Sequence, residues 1–200
     1  MANPNTPRGL VPVRHFDGRP YNSAGSMYYI PASDSNNIFP GDPLIVTGGA
    51  DANGVPAITL ATAGSGNYIT GVMQGIIDGG GPILAETTVL QSSPVYRPAG
   101  VAMYINVCDN PTVLYEIQED SVGGALPAAS ASNNANLVAG TGNTQYATSG
   151  WLLQSSSVGT GSTLQVRILR GKQSVDNIIG NNFKWLVKIN LHSINNATGV

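Results

Sequence analysis

The chain has 200 residues, of which 42% are hydrophobic, so it is long enough to bury one substantial core. Only 10% of the residues are charged and the formal net charge is −2; nine scattered lysines and arginines are too few for a general nucleic-acid-binding surface. The 25 glycines and 13 prolines interrupt every helix-length window, which predicts an all-β fold of short antiparallel strands, closed as a β-barrel or packed as a jelly-roll-like sandwich.

Residues 1–20, MANPNTPRGLVPVRHFDGRP, contain four prolines and little apolar surface. Each proline removes a backbone donor and favours extended geometry in the residue before it. We therefore predict an extended N-terminal arm over residues 1–20, laid on its own domain or on a neighbouring copy, followed by a single β domain over residues 21–200. Removing the arm is expected to leave a folded domain that binds its partner less tightly.

The sequence PGDP at residues 40–43 opens a strand and is predicted to be a tight turn. Pro40 and Gly41 suit the two central positions, Asp42 can accept hydrogen bonds from local backbone, and Pro43 suits the start of a strand. Further along, Asn53 and Gly54 indicate a hairpin with these two residues at its centre. The strands predicted in this half of the chain span residues 26–32, 43–49, 55–64, 68–77 and 83–90.

Apolar residues at alternate positions mark most of the strands of the second half. This alternation places Val101, Met103, Ile105 and Val107 on one face of the first of them. The predicted strands span residues 100–108, 112–118, 151–157, 162–172 and 181–193. The apolar sides of the second, fourth and fifth of them include Val113, Tyr115, Ile117, Leu164, Val166, Ile168, Phe183, Trp185, Val187, Ile189 and Leu191.

Residues 121–150 are small, polar and without a clear period, which predicts a long mid-chain loop. Leu137 and Val138 form its one bulky aliphatic pair. We expect this pair to anchor the loop and to take part in a contact with the partner or with another copy.

Residues capable of catalysis or metal binding are scarce. His15 and His192 are the two histidines, and Cys108 is the one cysteine, so no intrachain disulfide can form. His192 is predicted to be solvated at a strand end. Glu116 and Glu119 fall on opposite faces if the strand continues, which disfavours a paired-carboxylate hydrolase. The sequence thus predicts no catalytic residue, no metal site and no cofactor.

The basic residues lie near the two ends of the chain. Five of them fall in the last thirty-five residues, and none lies between Arg19 and Arg97. We predict that the arm cations Arg8, Arg14 and Arg19 contact an acidic partner surface. No apolar leader segment or membrane-spanning run is present in the sequence, so synthesis in the cytoplasm and no contact with a membrane are expected.

Several stretches resemble the capsid decoration, or cement, proteins of tailed bacteriophages. They include CDNPTVLYEIQEDSVGG, SNNANLV, GTGNT, SGWLLQSSS and VDNIIGNNFKWLVKINLH, with further similarity from YYIPASDSNNIFPGDP onwards, and together they cover residues 20–193. The resemblance implies a non-enzymatic, β-rich protein that binds the outer surface of the virion. Its partner would be the phage major capsid protein, whose capsomers it would cement against internal DNA pressure as a dimer or trimer, without touching nucleic acid.

An alternative from another class is a sugar-binding, adhesin-like β-module displayed on a virion or fibre. In that interpretation, exposed aromatic rings stack on sugars. The rings considered for this role are Tyr21, Tyr28, Tyr146 and Trp151.

Overall fold

A computed structural model describes residues 3–77 and 96–195. In these ranges the regular structure is β-strand apart from three single-turn 3-10 helices, so the all-β prediction is confirmed. The strand predicted at residues 83–90 lies outside the described residues. Among the described residues, no helix has both the length and the apolar character needed to span a membrane.

The strands of the described ranges form two main groups, and the second group joins the first strand of the chain to strands from its second half. They are β1 (Val11–His15), β2 (Ser26–Ile30), β3 (Pro43–Ala50), β4 (Pro56–Leu60), β5 (Gly71–Ile77), β6 (Met103–Cys108), β7 (Val113–Gln118), β8 (Asn134–Ala135), β9 (Leu137–Val138), β10 (Leu152–Leu153), β11 (Val166–Gly171) and β12 (Lys184–Ile189). The 3-10 helices span Ala128–Ser130, Ser155–Ser157 and Ser193–Asn195.

The first group closes into a barrel with the strand order β2-β4-β3-β5-β6. Its pairings are antiparallel except for that of β2 with β4, which is parallel at Tyr29 and Ala57. Apolar side chains from alternate positions fill the interior, as expected for a small barrel. The fully buried members of this cluster are Ile30, Ile38, Leu44, Ile58, Met73, Ile105 and Val107.

The second group forms an antiparallel sheet with the order β1-β7-β12-β11-β8. One face of this sheet packs on the main core, which also includes barrel residues such as Ile69 and Val72. The predicted inward positions of β7 and β12 are confirmed, because all of them except Leu191 are buried. Val101 differs from its prediction, being 40% exposed just before β6 begins.

The hairpin between β3 and β4 is confirmed, although its turn is shifted by one residue from the prediction. Ala52 and Asn53 occupy the central positions, and Gly54 takes the positive φ of 83°. Asp51 fixes this arrangement, since its Oδ1 accepts hydrogen bonds from the backbone N–H groups of Asn53 at 2.9 Å and Val55 at 2.8 Å. The result is a type I turn followed by a left-handed glycine, the usual geometry of a slightly longer hairpin loop.

The mid-chain loop packs on its own chain through short strands. β8 pairs with β11 at the edge of the sheet, and β9 pairs with β10. Leu137 is 1% exposed and lies in the main core, whereas Val138 is half-buried. Leu137 therefore anchors the loop, as expected, but its side chain is not available to another molecule.

Cys108 ends β6 and is fully buried where the barrel meets the main core. The Tyr115 hydroxyl lies 3.2 Å from the Cys108 carbonyl oxygen and 3.3 Å from its Sγ, which links β7 to β6. Burial raises the pKa of the Cys108 thiol.

Candidate docking surface

The N-terminal segment is extended and lies on its own chain. Its Thr6 N–H donates to Gln118 Oε1 at 2.9 Å, and its Leu10 N–H donates to the Gly41 carbonyl at 2.9 Å. Leu10 is fully buried in the main core, and residues 11–15 form the edge strand β1. Removing residues 1–20 would expose that core and delete an edge strand, so this structure does not support the expectation that the remainder stays folded.

The segment crosses the barrel at the turn formed by PGDP. Pro40 and Gly41 are central, the Asp42 N–H donates to the Phe39 carbonyl at 3.0 Å, and Gly41 has a φ of 95°. A side chain at Gly41 would collide with the Arg8 carbonyl oxygen, so glycine permits the close crossing. This arrangement confirms the turn predicted from the sequence. It also gives the turn a second role, because the N-terminal segment packs against it.

Asp42 is 2% exposed beneath this crossing. Burial raises its pKa to about 6, while hydrogen bonds from Ser149 and from the backbone N–H of Phe39 act in the opposite direction. The Phe39 N–H lies 2.8 Å from Asp42 Oδ2. The carboxyl group is therefore a structural acceptor between the barrel turn and the mid-chain loop.

The three arm cations predicted to contact a partner lie in different surroundings. Arg8 is exposed beside an open cleft of about 590 Å³, whose lining includes Asn143 and Tyr146. Arg19 is exposed and pairs with Asp17 at 2.7 Å. Arg14 is half-exposed on β1, and it is the one that the strand pairing joins to other basic residues.

The outward side of the five-stranded sheet collects basic residues from both ends of the chain. Arg14 pairs with Leu114, Leu114 with Lys188, and Lys188 with Arg167, so these side chains share one face. We call this side of the sheet the basic face. It holds six of the nine lysines and arginines in the chain, namely Arg14, Arg167, Arg170, Lys172, Lys184 and Lys188.

Only part of this positive charge is neutralised by the residues that the structure describes. Glu116 is the one carboxylate carried by the five strands of this sheet, and it pairs with Lys172 at 2.7 Å and Lys184 at 3.7 Å. The other four cations form no ion pair with any carboxylate in residues 3–77 or 96–195. The basic face therefore carries a local charge excess on a chain whose net charge is negative.

Apolar side chains lie among these cations. Leu114 and Leu186 point outward from the sheet yet are only 3% and 5% exposed. Their cross-strand partners on this face include the long side chains of Arg14, Lys188 and Arg170. At the β1 end, Phe16 is 66% exposed and lies 5.9 Å from Lys188 Nζ, measured to the ring centroid. The surface is thus both basic and partly apolar.

His192 does not occupy the solvated position predicted for it. It is 2% exposed, because its backbone forms a parallel bridge with Ile69 and carries the chain back under the barrel. The Ile194 N–H donates to His192 Nδ1 at 3.3 Å, and Nε2 has no partner among the described residues. Burial lowers the His192 pKa to about 4 despite the attraction of Asp109.

The carboxylates considered for hydrolysis are held apart in structural roles. Glu119 is fully buried and accepts a hydrogen bond from Trp185 Nε1 at 2.8 Å, whereas Glu116 lies on the basic face. Burial raises the pKa of Glu119. Asp120 Oδ1 accepts from the Ser155 hydroxyl at 2.7 Å. Within residues 3–77 and 96–195, no three His, Cys, Asp or Glu side chains group closely enough to hold a metal ion.

The aromatic side chains suggested for sugar stacking are mostly unavailable. Trp151 is 2% exposed and Tyr28 is 7% exposed, so the prediction that they form an exposed platform is wrong. The Trp151 ring is buried in the main core, and the Tyr28 ring belongs to the barrel cluster. Tyr21 is half-buried, and Tyr146 alone of the four is well exposed, at 71%.

Comparison with known proteins gives no match to a family model, to a curated protein or to a solved structure. The interpretation of the basic face therefore depends on its own residues. The sequence shows these cations near the chain ends, but only the cations of the arm were predicted to contact a partner. The alternation of Lys184 and Lys188 with the buried side of β12 was the available signal for an exposed basic strand.

Proposed function

We propose that the protein is a non-enzymatic structural component of a phage virion, binding the outer surface of the capsid and cementing neighbouring capsomers. The observation that carries this proposal is the basic face. It presents a sheet surface with unpaired cations and exposed apolar groups, which suits a macromolecular partner with an acidic surface. The resemblance of residues 20–193 to decoration proteins favours the major capsid protein as that partner.

The shape of the basic face also favours a large partner over a small ligand. Small-molecule sites are concave and enclose most of the ligand, whereas this surface is the outer side of an extended sheet. A modest interface on each copy is sufficient in a closed shell, since many copies act on one particle and a copy spanning two capsomers gains from its effective concentration.

The direct test is co-sedimentation of the purified protein with capsids that lack decoration. We expect the protein to pellet with the capsids at low ionic strength and to be released progressively as salt is added. Decorated capsids should also lose their DNA at a higher temperature than undecorated ones. Failure to co-sediment at every salt concentration would eliminate the proposal.

The second candidate, a sugar-binding module, is favoured by one observation. Tyr146 is 71% exposed beside the cleft of about 590 Å³ that Arg8, Thr141 and Asn143 also line. The backbone under the ring is fixed, because Asn143 Oδ1 accepts from the Tyr146 N–H at 3.0 Å. A glycan array compared between the protein and Tyr146→Ala tests this function, and identical signals would exclude a sugar site at Tyr146.

A further inference from the structure

We propose that the basic face recognises carboxylate groups on its protein partner through one row of cations, Arg14, Lys188 and Arg167. The identity of the partner as a capsid shell rests on the proposed function, whereas the chemistry of recognition follows from the sheet itself. Arg14, Lys188 and Arg167 form one row of the basic face, and carboxylates are one class of anion that such a row can bind.

The register of the sheet builds this row. Arg14 on β1 and Lys188 on β12 both pair with Leu114 of β7, and Arg167 of β11 pairs directly with Lys188. Four adjacent strands separated by about 4.8 Å each give the row a length of about 14 Å. Three cations are thus aligned across the sheet on strands whose backbones are held by ladder hydrogen bonds.

The row differs from Lys172 and Lys184 in having no ion pair among the described residues, a property that it shares with Arg170, which lies opposite Leu186 outside the row. Lys172 and Lys184 share the Glu116 carboxylate, so much of their charge is already balanced. Arg14, Lys188 and Arg167 have no such partner in the described part of the chain. A carboxylate brought by another molecule would therefore gain most at this row, where it displaces no existing ion pair.

Carboxylates fit the surroundings better than the phosphates of a nucleic acid. Phe16 lies at the end of the row and is 66% exposed, so a partner that covers the row also meets apolar surface there, whereas Leu114 in the middle of the row is only 3% exposed. Glu116 lies one row away on the same face and would repel any anion placed over it, so it confines discrete carboxylates to the row and disfavours a phosphate backbone that continues across the face. An arginine can also bind a carboxylate with two parallel hydrogen bonds.

The experiment compares two double variants that change net charge equally. Arg167→Gln/Lys188→Gln alters the row, and Arg8→Gln/Arg19→Gln alters arm cations outside it; each changes the net charge from −2 to −4. Binding is measured to immobilised poly-L-glutamate, to a 20-base-pair DNA duplex and to undecorated capsids. Urea unfolding of both variants checks that each remains folded.

We expect the row variant to bind poly-L-glutamate and capsids at least tenfold more weakly than the unaltered protein, and the arm variant to differ by less than threefold. Equal losses in the two variants would overturn the row, and tighter binding to DNA than to poly-L-glutamate would overturn the choice of carboxylates. Binding to poly-L-glutamate that depends on the row, without any binding to capsids, would support this inference and contradict the proposed function. Capsid binding that is unaffected in the row variant would contradict this inference and support the proposed function.

Discussion

Asp42 and His192 are both buried, and acidification affects the stability that each provides in opposite directions. The Asp42 pKa is about 6 in the folded protein against 3.8 for an unperturbed group, so the folded state holds its proton more tightly. Its contribution to the free energy of unfolding is greatest below pH 3.8 and falls as the pH rises through 6. The His192 pKa falls from 6.5 to about 4, so its contribution is complete above pH 6.5 and is lost as the pH falls through 4.

Replacing Asp42 should remove its pH-dependent contribution to the free energy of unfolding. In Asp42→Asn the buried charge can no longer form, so the variant should gain stability relative to the unaltered protein as the pH rises from 4 to 7. The shift from 3.8 to about 6 corresponds to about 3 kcal/mol. Urea unfolding at pH 4 and pH 7 measures this difference, and a constant difference between the two proteins would contradict the assignment.

Replacing His192 should have the opposite effect. His192→Asn keeps an acceptor for the Ile194 N–H but does not titrate, so the variant should gain relative stability as the pH falls from 7 to 4. The shift from 6.5 to about 4 corresponds to about 3 kcal/mol. The same urea titrations provide the measurement, with Asp42→Asn as the control of opposite sign. A variant that tracks the unaltered protein across this range would show that His192 is not held neutral.

At the level of elements, the crossing of the N-terminal segment over the PGDP turn depends on Gly41. Gly41→Ala combines a positive φ with a collision against the Arg8 carbonyl, and we expect a loss of about 2 to 4 kcal/mol in unfolding free energy. Gly54→Ala is the matched control, because Gly54 also has positive φ but no atom lies within 4 Å of the added carbon. Its loss should be about 1 kcal/mol. Equal losses in the two variants would mean that the N-terminal segment does not pack closely against Gly41.

The N-terminal segment should also be part of the folded core. Leu10→Ala removes a fully buried side chain, and we expect it to lower the free energy of unfolding by about 2 to 5 kcal/mol. Val13→Ala, at a 41% exposed position further along the same N-terminal segment, should change it by less than about 1 kcal/mol. If denaturant unfolding finds both variants equally stable, the segment does not pack on its own domain in solution.

Local sequence patterns predicted most strands but not their partners. Alternation located the buried sides of β7 and β12, and turn residues located the β3–β4 hairpin. The edge strand β1 was missed because Pro12 interrupts it, and an edge position is where a sheet tolerates proline. Trp151 and His192 were misplaced for a different reason. Their burial comes from packing against distant segments, which no local pattern encodes.

For the whole molecule, the barrel and the sheet share one core. Ile69 and Val72 of the barrel side pack in the same cluster as Trp151 and Trp185. We therefore expect a single unfolding transition, in which tryptophan fluorescence from the sheet side and far-UV circular dichroism from all strands coincide in urea. Two separate transitions would show that the barrel and the sheet unfold independently.

The basic face is also a property of the whole molecule, and this explains why it was only partly predictable. Its cations come from β1 near one end of the chain and from β11 and β12 near the other. The sequence revealed their uneven distribution, and an acidic partner was inferred from it. Their alignment in one row required the pairing of β1 and β12 with the same strand, β7, which depends on contacts distant in sequence.

The buried thiol of Cys108 makes the chain suitable for chemical labelling. As the one cysteine in the sequence, fully buried and with its pKa raised, it should react slowly with maleimides while the protein is folded. A cysteine introduced at Arg170, which is on the basic face but outside the row, or at Tyr146 could then carry a fluorophore with little background from the native residue. Quenching of each probe in turn on a bound particle would report which side of the protein faces its partner.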